Sequence, residues 1–247
     1  MSCDATAAIL AGALAGAFVS GVSGFAFGLV ALSFWAWQLD PPLLGPMVVF
    51  GSIVTQATSL AAIWARLDWP RLRPFLAGGV LGVPIGVLLL GVLDLRLFKA
   101  TVGVVLVAYG AYLLLAPPRP AVRFGGRLAD GAAGFVGGVM GGLAGLNGPA
   151  PVLWCTVRGW DKDVQRGIVQ SYILAIQVVT FLGYGVAGKL TRPAWEAFGL
   201  MLPAVAVAAW LGARACHRVS ADLFRRLVLV LLVLSGAALL ADVLGHG

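Results

Sequence analysis

The chain alternates between long apolar runs and short charged connections. Uncharged runs cover Ala5–Leu39, Pro41–Ala65, Pro74–Leu93, Ala100–Pro118, Gly131–Val157, Gly167–Gly188, Ala197–Ala213 and Leu227–Ala241. The last two extend back through Pro193, across Glu196, and through Leu223, across Arg225 and Arg226. One helical crossing of a bilayer takes about 20 residues, and six of the eight runs suit that length. The first, with 35 residues, and the fifth, with 27, are too long for one helix and too short for two crossings and a turn. Both carry glycines at their middles: Gly21, Gly24 and Gly28 in the first, and Gly137, Gly138, Gly141, Gly142, Gly145 and Gly148 in the fifth, followed by Pro149 and Pro151. Each glycine weakens a helix by about 1 kcal/mol and each proline by about 3 kcal/mol. The pattern therefore predicts two helix–break–helix segments that dip into the membrane and return, with breaks at Ser20–Gly24 and Gly141–Pro149. One long kinked helix is the alternative for each.

Composition agrees with a membrane setting. Hydrophobic residues make up 60% of the chain and charged residues 11%, against about 45–50% and about 25% in soluble domains. Too few charges exist to cover a water-soluble globule, and disorder or a disulfide scaffold is excluded. The net charge of +7 comes from 17 Lys and Arg spread between the apolar runs, as membrane loops are charged. There is no basic run interleaved with aromatics, so no nucleic-acid partner is expected. Cys3, Cys155 and Cys216 are far apart and form no metal or redox spacing, so neither a metal nor a cofactor is expected. The N-terminus carries Asp4 and no basic residue before the first run, which argues against a cleaved secretory signal. All eight tryptophans fall near segment ends, where an interfacial aromatic belt belongs.

The two glycine clusters are related. FVSGVSGFAFGL at Phe18–Leu29 and FVGGVMGGLAGL at Phe135–Leu146 share seven of twelve positions at an offset of 117. At an offset of 126, Gly86, Leu97, Phe98, Gly110, Ala111, Leu113 and Leu114 match Gly212, Leu223, Phe224, Gly236, Ala237, Leu239 and Leu240. The chain thus divides into two repeats, 1–118 and 119–247, each a break-containing segment followed by three crossings. If all eight runs crossed, the basic residues would split 8 against 9 between the two sides. If runs one and five return, the split is 13 against 4, a clear positive-inside bias. Three crossings per repeat make the repeats inverted. The N- and C-termini are then expected outside a cytoplasmic (inner) membrane. The fold class expected is an all-α polytopic membrane protein of two inverted repeats.

Inverted repeats with broken helices are a transporter architecture that holds its substrate near the midplane. A helix start within the membrane exposes unpaired N–H groups with partial positive charge, which suit an anion. Candidate ligands at the breaks are Ser20, Ser23, Gly24 and Phe25 on one arm, and Gly141, Gly142, Asn147 and Gly148 on the other. The amides of Gly24, Phe25, Gly142 and Gly148 are the expected backbone donors. Gln56 in run two, and Gln170 and Ser171 in run six, are further donors expected to face the cavity; bonding between helices is their alternative role. Glycines four apart at Gly78, Gly82 and Gly86 suit helix packing. All ten Asp and Glu lie in loops or near run ends, and both histidines lie outside the runs. No intramembrane proton relay or nucleophile–base set is thus evident, and an enzyme is not expected.

With Gly21-x2-Gly24-Phe25, Gly141-Gly142-x2-Gly145 and the ending Gly212-Ala213-Arg214 followed by Leu223–Leu240, the chain resembles the sulfite exporter TauE/SafE family along nearly its whole length. It departs from a common pattern of that family at Gly167-Ile168-Val169-Gln170-Ser171. The resemblance implies a permease for small sulfur-containing anions such as sulfite or C2 sulfonates. Export fits best, since an inside-negative potential drives anions out by about 2.3 kcal/mol per charge per 100 mV. Expected partners are a small anionic substrate and the lipid bilayer, with a homodimer left open. A channel or a non-transporting membrane partner is the rival reading.

Overall fold

A computed structural model describes residues 3–58, 68–92, 94–115 and 125–215, and, of the last apolar run, 229–230, 233–234, 236–237, 240–241 and 243–244. Among the described residues all regular structure is helical. Nine helices are continuous: α1 (Cys3–Ser23), α2 (Phe27–Trp35), α3 (Pro41–Ala57), α4 (Trp69–Val92), α5 (Leu95–Leu115), α6 (Gly126–Ala144), α7 (Pro149–Val157), α8 (Lys162–Val186) and α9 (Arg192–Ala215). Four stretches are long and apolar enough to cross a membrane: Ala5–Ser23, Trp69–Gly91, Val164–Val186 and Arg192–Ala215. Outward-facing Leu81, Leu88 and Leu182 are exposed, as lipid-facing side chains would be. The end of run two and the connection before α6 lie outside the described residues, and Trp64 with them.

Runs one and five each form a hairpin of a long and a short helix. α1 stops at Gly24 and α6 at Gly145, both in left-handed backbone, with φ of 89° and 73°. Glycine adopts that conformation without a Cβ penalty. The Gly24 N–H bonds the Ser20 carbonyl at 2.6 Å, and the Gly145 N–H bonds the Gly141 carbonyl at 2.7 Å. The breaks thus occupy 24–26 and 145–148. The first begins at the last residue of the interval expected from sequence.

Each short helix then folds back. At the end of α2, Trp35 Nε1 donates to the carbonyls of Ala8 and Ile9 at 3.0 and 3.3 Å. In α7, Trp154 Nε1 donates to Asp130 Oδ1 at 2.7 Å near the start of α6, and Arg158 lies 3.7 Å from that oxygen. Small residues permit the return. A Cβ on Gly16 would sit 2.9 Å from the Phe27 carbonyl oxygen, and one on Gly137 2.8 Å from that of Asn147. Trp35 is therefore a fully buried core residue rather than a belt residue, whereas Trp37, Trp69, Trp195 and Trp210 are exposed.

The halves pack reciprocally. α6 lies along α4, where Cβ atoms on Gly82, Gly86, Gly138 and Gly142 would all meet backbone of the other helix. α1 lies along α9, where Gly21 and Gly212 meet in the same way, 3.2 Å between a Gly212 Cβ and the Gly21 Cα. Gly78, Gly82 and Gly86 are thus packing glycines, as their spacing suggests. α3 and α8 cross at the centre and run antiparallel. Gly45 at the start of α3 faces the Tyr184 hydroxyl near the end of α8, while Gln56 and Gln170 both reach Gly24.

The register of this correspondence differs from the sequence match. Gly24 and Gly145 stand 121 positions apart, as do Gln56 and Gln177, and each glutamine Nε2 donates to the carbonyl of its break glycine, at 2.9 and 2.8 Å. The identity-based offset of 117 is short by four residues, about one helical turn. Glycines spaced by four look alike after a one-turn slide, so identity alone selects the wrong turn.

Two contacts fix which helix ends lie together. Arg71 and Arg158 both sit over the Trp160 ring, at 5.3 and 5.4 Å. At the opposite end, a Cβ on Gly91 would lie 3.6 Å from Lys189 Nζ.

Candidate functional site

The two breaks meet at the middle of α8, whose residues 170, 173 and 177 share one face. A Cβ on Gly148 would lie 3.3 Å from Ile173 Cδ1 and 3.6 Å from the Phe25 carbonyl oxygen, so each break touches the other. On the far side, a Cβ on Gly28 would lie 3.0 Å from Leu146 and 3.6 Å from the Gly145 carbonyl oxygen. Val48 and Val49 of α3 close this side against Gly145.

Polar groups here are buried and mostly committed. Asn147 Nδ2 donates to the Ile173 carbonyl at 3.2 Å, and Asn147 Oδ1 accepts from Gln177 Nε2 at 3.2 Å. The hydroxyls of Tyr172 and Tyr184 donate to the carbonyls of Gly134 and Gly142 at 2.6 and 2.7 Å. These bonds hold α8 against α6. Three buried atoms have no protein partner: Gln170 Nε2, Ser171 Oγ and Gln177 Oε1. Gln170 is 5% exposed, and its Nε2 lies 2.7 Å from where a Gly24 Cβ would stand. Its amide is thus aimed at the first break.

The fold does not need an amide there. The residue 121 positions before Gln170 is Val49, which packs against Gly145 as Gln170 packs against Gly24. An apolar side chain fills the twin position, so a buried amide with a spare N–H is a departure from the fold's own pattern. Leaving such a donor unpaired costs about 1–3 kcal/mol.

The expected residues fall into three groups. Gly24, Phe25, Gln56, Asn147, Gly148 and Gln170 converge at the meeting of the breaks, and Ser171 follows Gln170 in α8. Ser20 and Ser23 end α1; Ser20 is buried, and the Ser23 hydroxyl lies 3.5 Å from the Phe25 amide. Gly141 and Gly142 lie inside α6 rather than in the break. Gly141 makes room for Asn147, with 2.9 Å between the two Cβ positions, and Gly142 faces α4. The Gly24 amide is already bonded to the Ser20 carbonyl, so it is not free to donate to a ligand, whereas the Gln170 Nε2 is unpartnered. α7 opens on Pro149 and Pro151, which carry no N–H, so the second break offers fewer backbone donors than the first.

Gln177, which the motif pattern did not single out, also reaches the second break; pairing it with Gln56 at an offset of 121 would have found it. Asp130 is likewise unexpected as a buried carboxylate. Its position at a run end concealed that α7 folds back over it.

The family model described as sulfite exporter TauE/SafE matches residues 8–239. The chain belongs to that family. Its fold is therefore that of a multi-pass membrane transporter in a family of exporters. A relative from Cupriavidus necator, described as "Probable sulfite/organosulfonate exporter TauE", is 26% identical over 233 residues, covering 92% of this chain and 90% of that protein. No solved structure matches the chain.

Proposed function

We propose that this protein exports small sulfur-containing anions, sulfite or C2 sulfonates, across the cytoplasmic membrane by alternating access. The anion is held between the breaks at 24–26 and 145–148. The observation that carries the reading is the buried, unpartnered Gln170 amide aimed at Gly24, at a position where the other half has Val49. Gln170 and Ser171 donate to the anion. Gln56, Asn147 and Gln177 hold the two breaks in shape. The family's exporter assignment and the relative's printed name support the substrate class.

The packing supports two inverted repeats, 1–118 and 119–247. The twin helices α3 and α8 run antiparallel, and the α1–α9 and α4–α6 contacts are reciprocal. If all eight runs crossed, Arg71 and Trp160 would lie on opposite sides of the membrane, yet they are in contact. Gly91 and Lys189 would be separated in the same way. Hairpins that return to their own side remove both conflicts. They leave the basic majority inside and both termini outside.

Counterflow in proteoliposomes tests the function. Unlabelled isethionate or sulfite on one side should drive transient accumulation of the labelled anion against its gradient. A channel would show leak without saturable exchange, and its appearance would overturn alternating access.

A further inference from the structure

The groups that gather at the breaks are electrically neutral. They are amides, hydroxyls and backbone. Among the described residues, Asp130 is the one charged side chain that is buried, and it is committed to Trp154 and Arg158 at the base of the second hairpin. The described cations stand near helix ends: Arg71 and Arg158 at Trp160, Lys189 beside Gly91, Lys99 at Trp37 and Arg214 at Trp210, while Arg73, Arg96 and Arg192 are exposed. Arg127 and Arg166, near the starts of α6 and α8, are exposed. The titratable groups on the elements around the breaks are Tyr109, whose ring meets Phe25 at 6.3 Å, Tyr172 and Tyr184, bonded to glycine carbonyls, and buried Cys155 in α7. None of these supplies positive charge.

Resting on the function proposed above, we infer that this site takes its substrate as a monoanion: a sulfonate, or hydrogensulfite rather than the sulfite dianion. The desolvation cost of an ion grows with the square of its charge, so a dianion costs about four times as much to bury as a monoanion of equal size. Neutral donors can replace the hydration of one charge. With no cation beside them among the described residues, they leave the second charge uncompensated. The unpartnered Gln177 Oε1 adds to the selection. It is an acceptor, which repels further negative charge and welcomes a hydroxyl proton such as that of hydrogensulfite or a hydroxysulfonate. A sulfonate with no second ionised group, such as isethionate, is a monoanion at every physiological pH. Sulfite passes from monoanion to dianion near neutrality, so the two substrates should respond differently to pH.

The test is counterflow by the full-length protein in proteoliposomes, with equal pH on both sides and the potential clamped, from about pH 6 to about pH 9. The readout is the ratio of labelled sulfite flux to labelled isethionate flux at subsaturating total concentration, which cancels any pH effect of the protein itself. The ratio should fall about tenfold per pH unit above neutrality, the slope of one bound proton, and sulfate should not compete with isethionate. A ratio that stays flat or rises with pH, or sulfate competing as well as sulfite does at low pH, would overturn the monoanion selection and leave the transport function standing. If neither anion moves at any pH, the function itself fails, and the inference with it.

Discussion

Gln170→Leu separates a ligand-binding role from a packing role, because the two predict opposite signs for stability. Leucine has a similar volume and makes the position resemble its apolar twin, Val49. The wild-type side chain buries an amide donor without a protein partner, which costs about 1–3 kcal/mol. Removing it should leave the empty protein at least as stable. In a chain of this size each kcal/mol corresponds to about 2–4 °C, so the melting temperature in detergent should rise by a few degrees or stay level. Gln56→Leu is the control. Its Nε2 donates to the Gly24 carbonyl at 2.9 Å, so its loss strands a buried acceptor and should lower stability by about 1–3 kcal/mol. The assay is thermal unfolding with and without isethionate. Saturating ligand at about 100 times its dissociation constant stabilises the wild type by about 2.7 kcal/mol. Gln170→Leu should lose that increment together with counterflow. A strongly destabilised Gln170→Leu, or one that still exchanges substrate at the wild-type rate, would refute the reasoning.

Three further outcomes follow from the geometry. Asn147→Ala removes bonds to Ile173 and Gln177 but places alanine where the twin break already has Ala26; it should insert and fold, yet lose counterflow by tenfold or more, as read by flux per inserted protein. Gly138→Ala puts a methyl 2.8 Å from the Gly79 Cα and should destabilise the α4–α6 seam, whereas Gly199→Ala meets open space and should gain about 0.5–1 kcal/mol; equal melting shifts for the two would contradict the packing. In a background without native cysteines, single cysteines at positions 40 and 189 should react with an impermeant maleimide from outside, and those at 127 and 162 only from inside; opposite labelling of 40 and 189 would reject the hairpin topology.

The sequence by itself determined the membrane setting, the helical class and the two places where helices break. These are one-dimensional properties. Solvent preference is carried by composition, crossing length by run length, and helix weakness by local glycine and proline. Gly24, Asn147, Gly148 and Gln170 were legible because polar or flexible residues stand out in apolar runs, and Phe25 because it follows Gly24 in the break. Only the tertiary structure decided the placing of Gln56 and Gln177 on the two break carbonyls, the offset of 121 that relates them, and the contrast of Gln170 with Val49. A glycine pattern of period four repeats itself every turn, so its phase is set by which carbonyls lie within hydrogen-bond reach across the bundle. Gly142 shows the same limit from the other side. It belongs to the glycine cluster that leads into the break, but its place on the helix face points it at α4. Whether a glycine opens a site or closes a seam depends on what lies opposite, and only the packed bundle settles that.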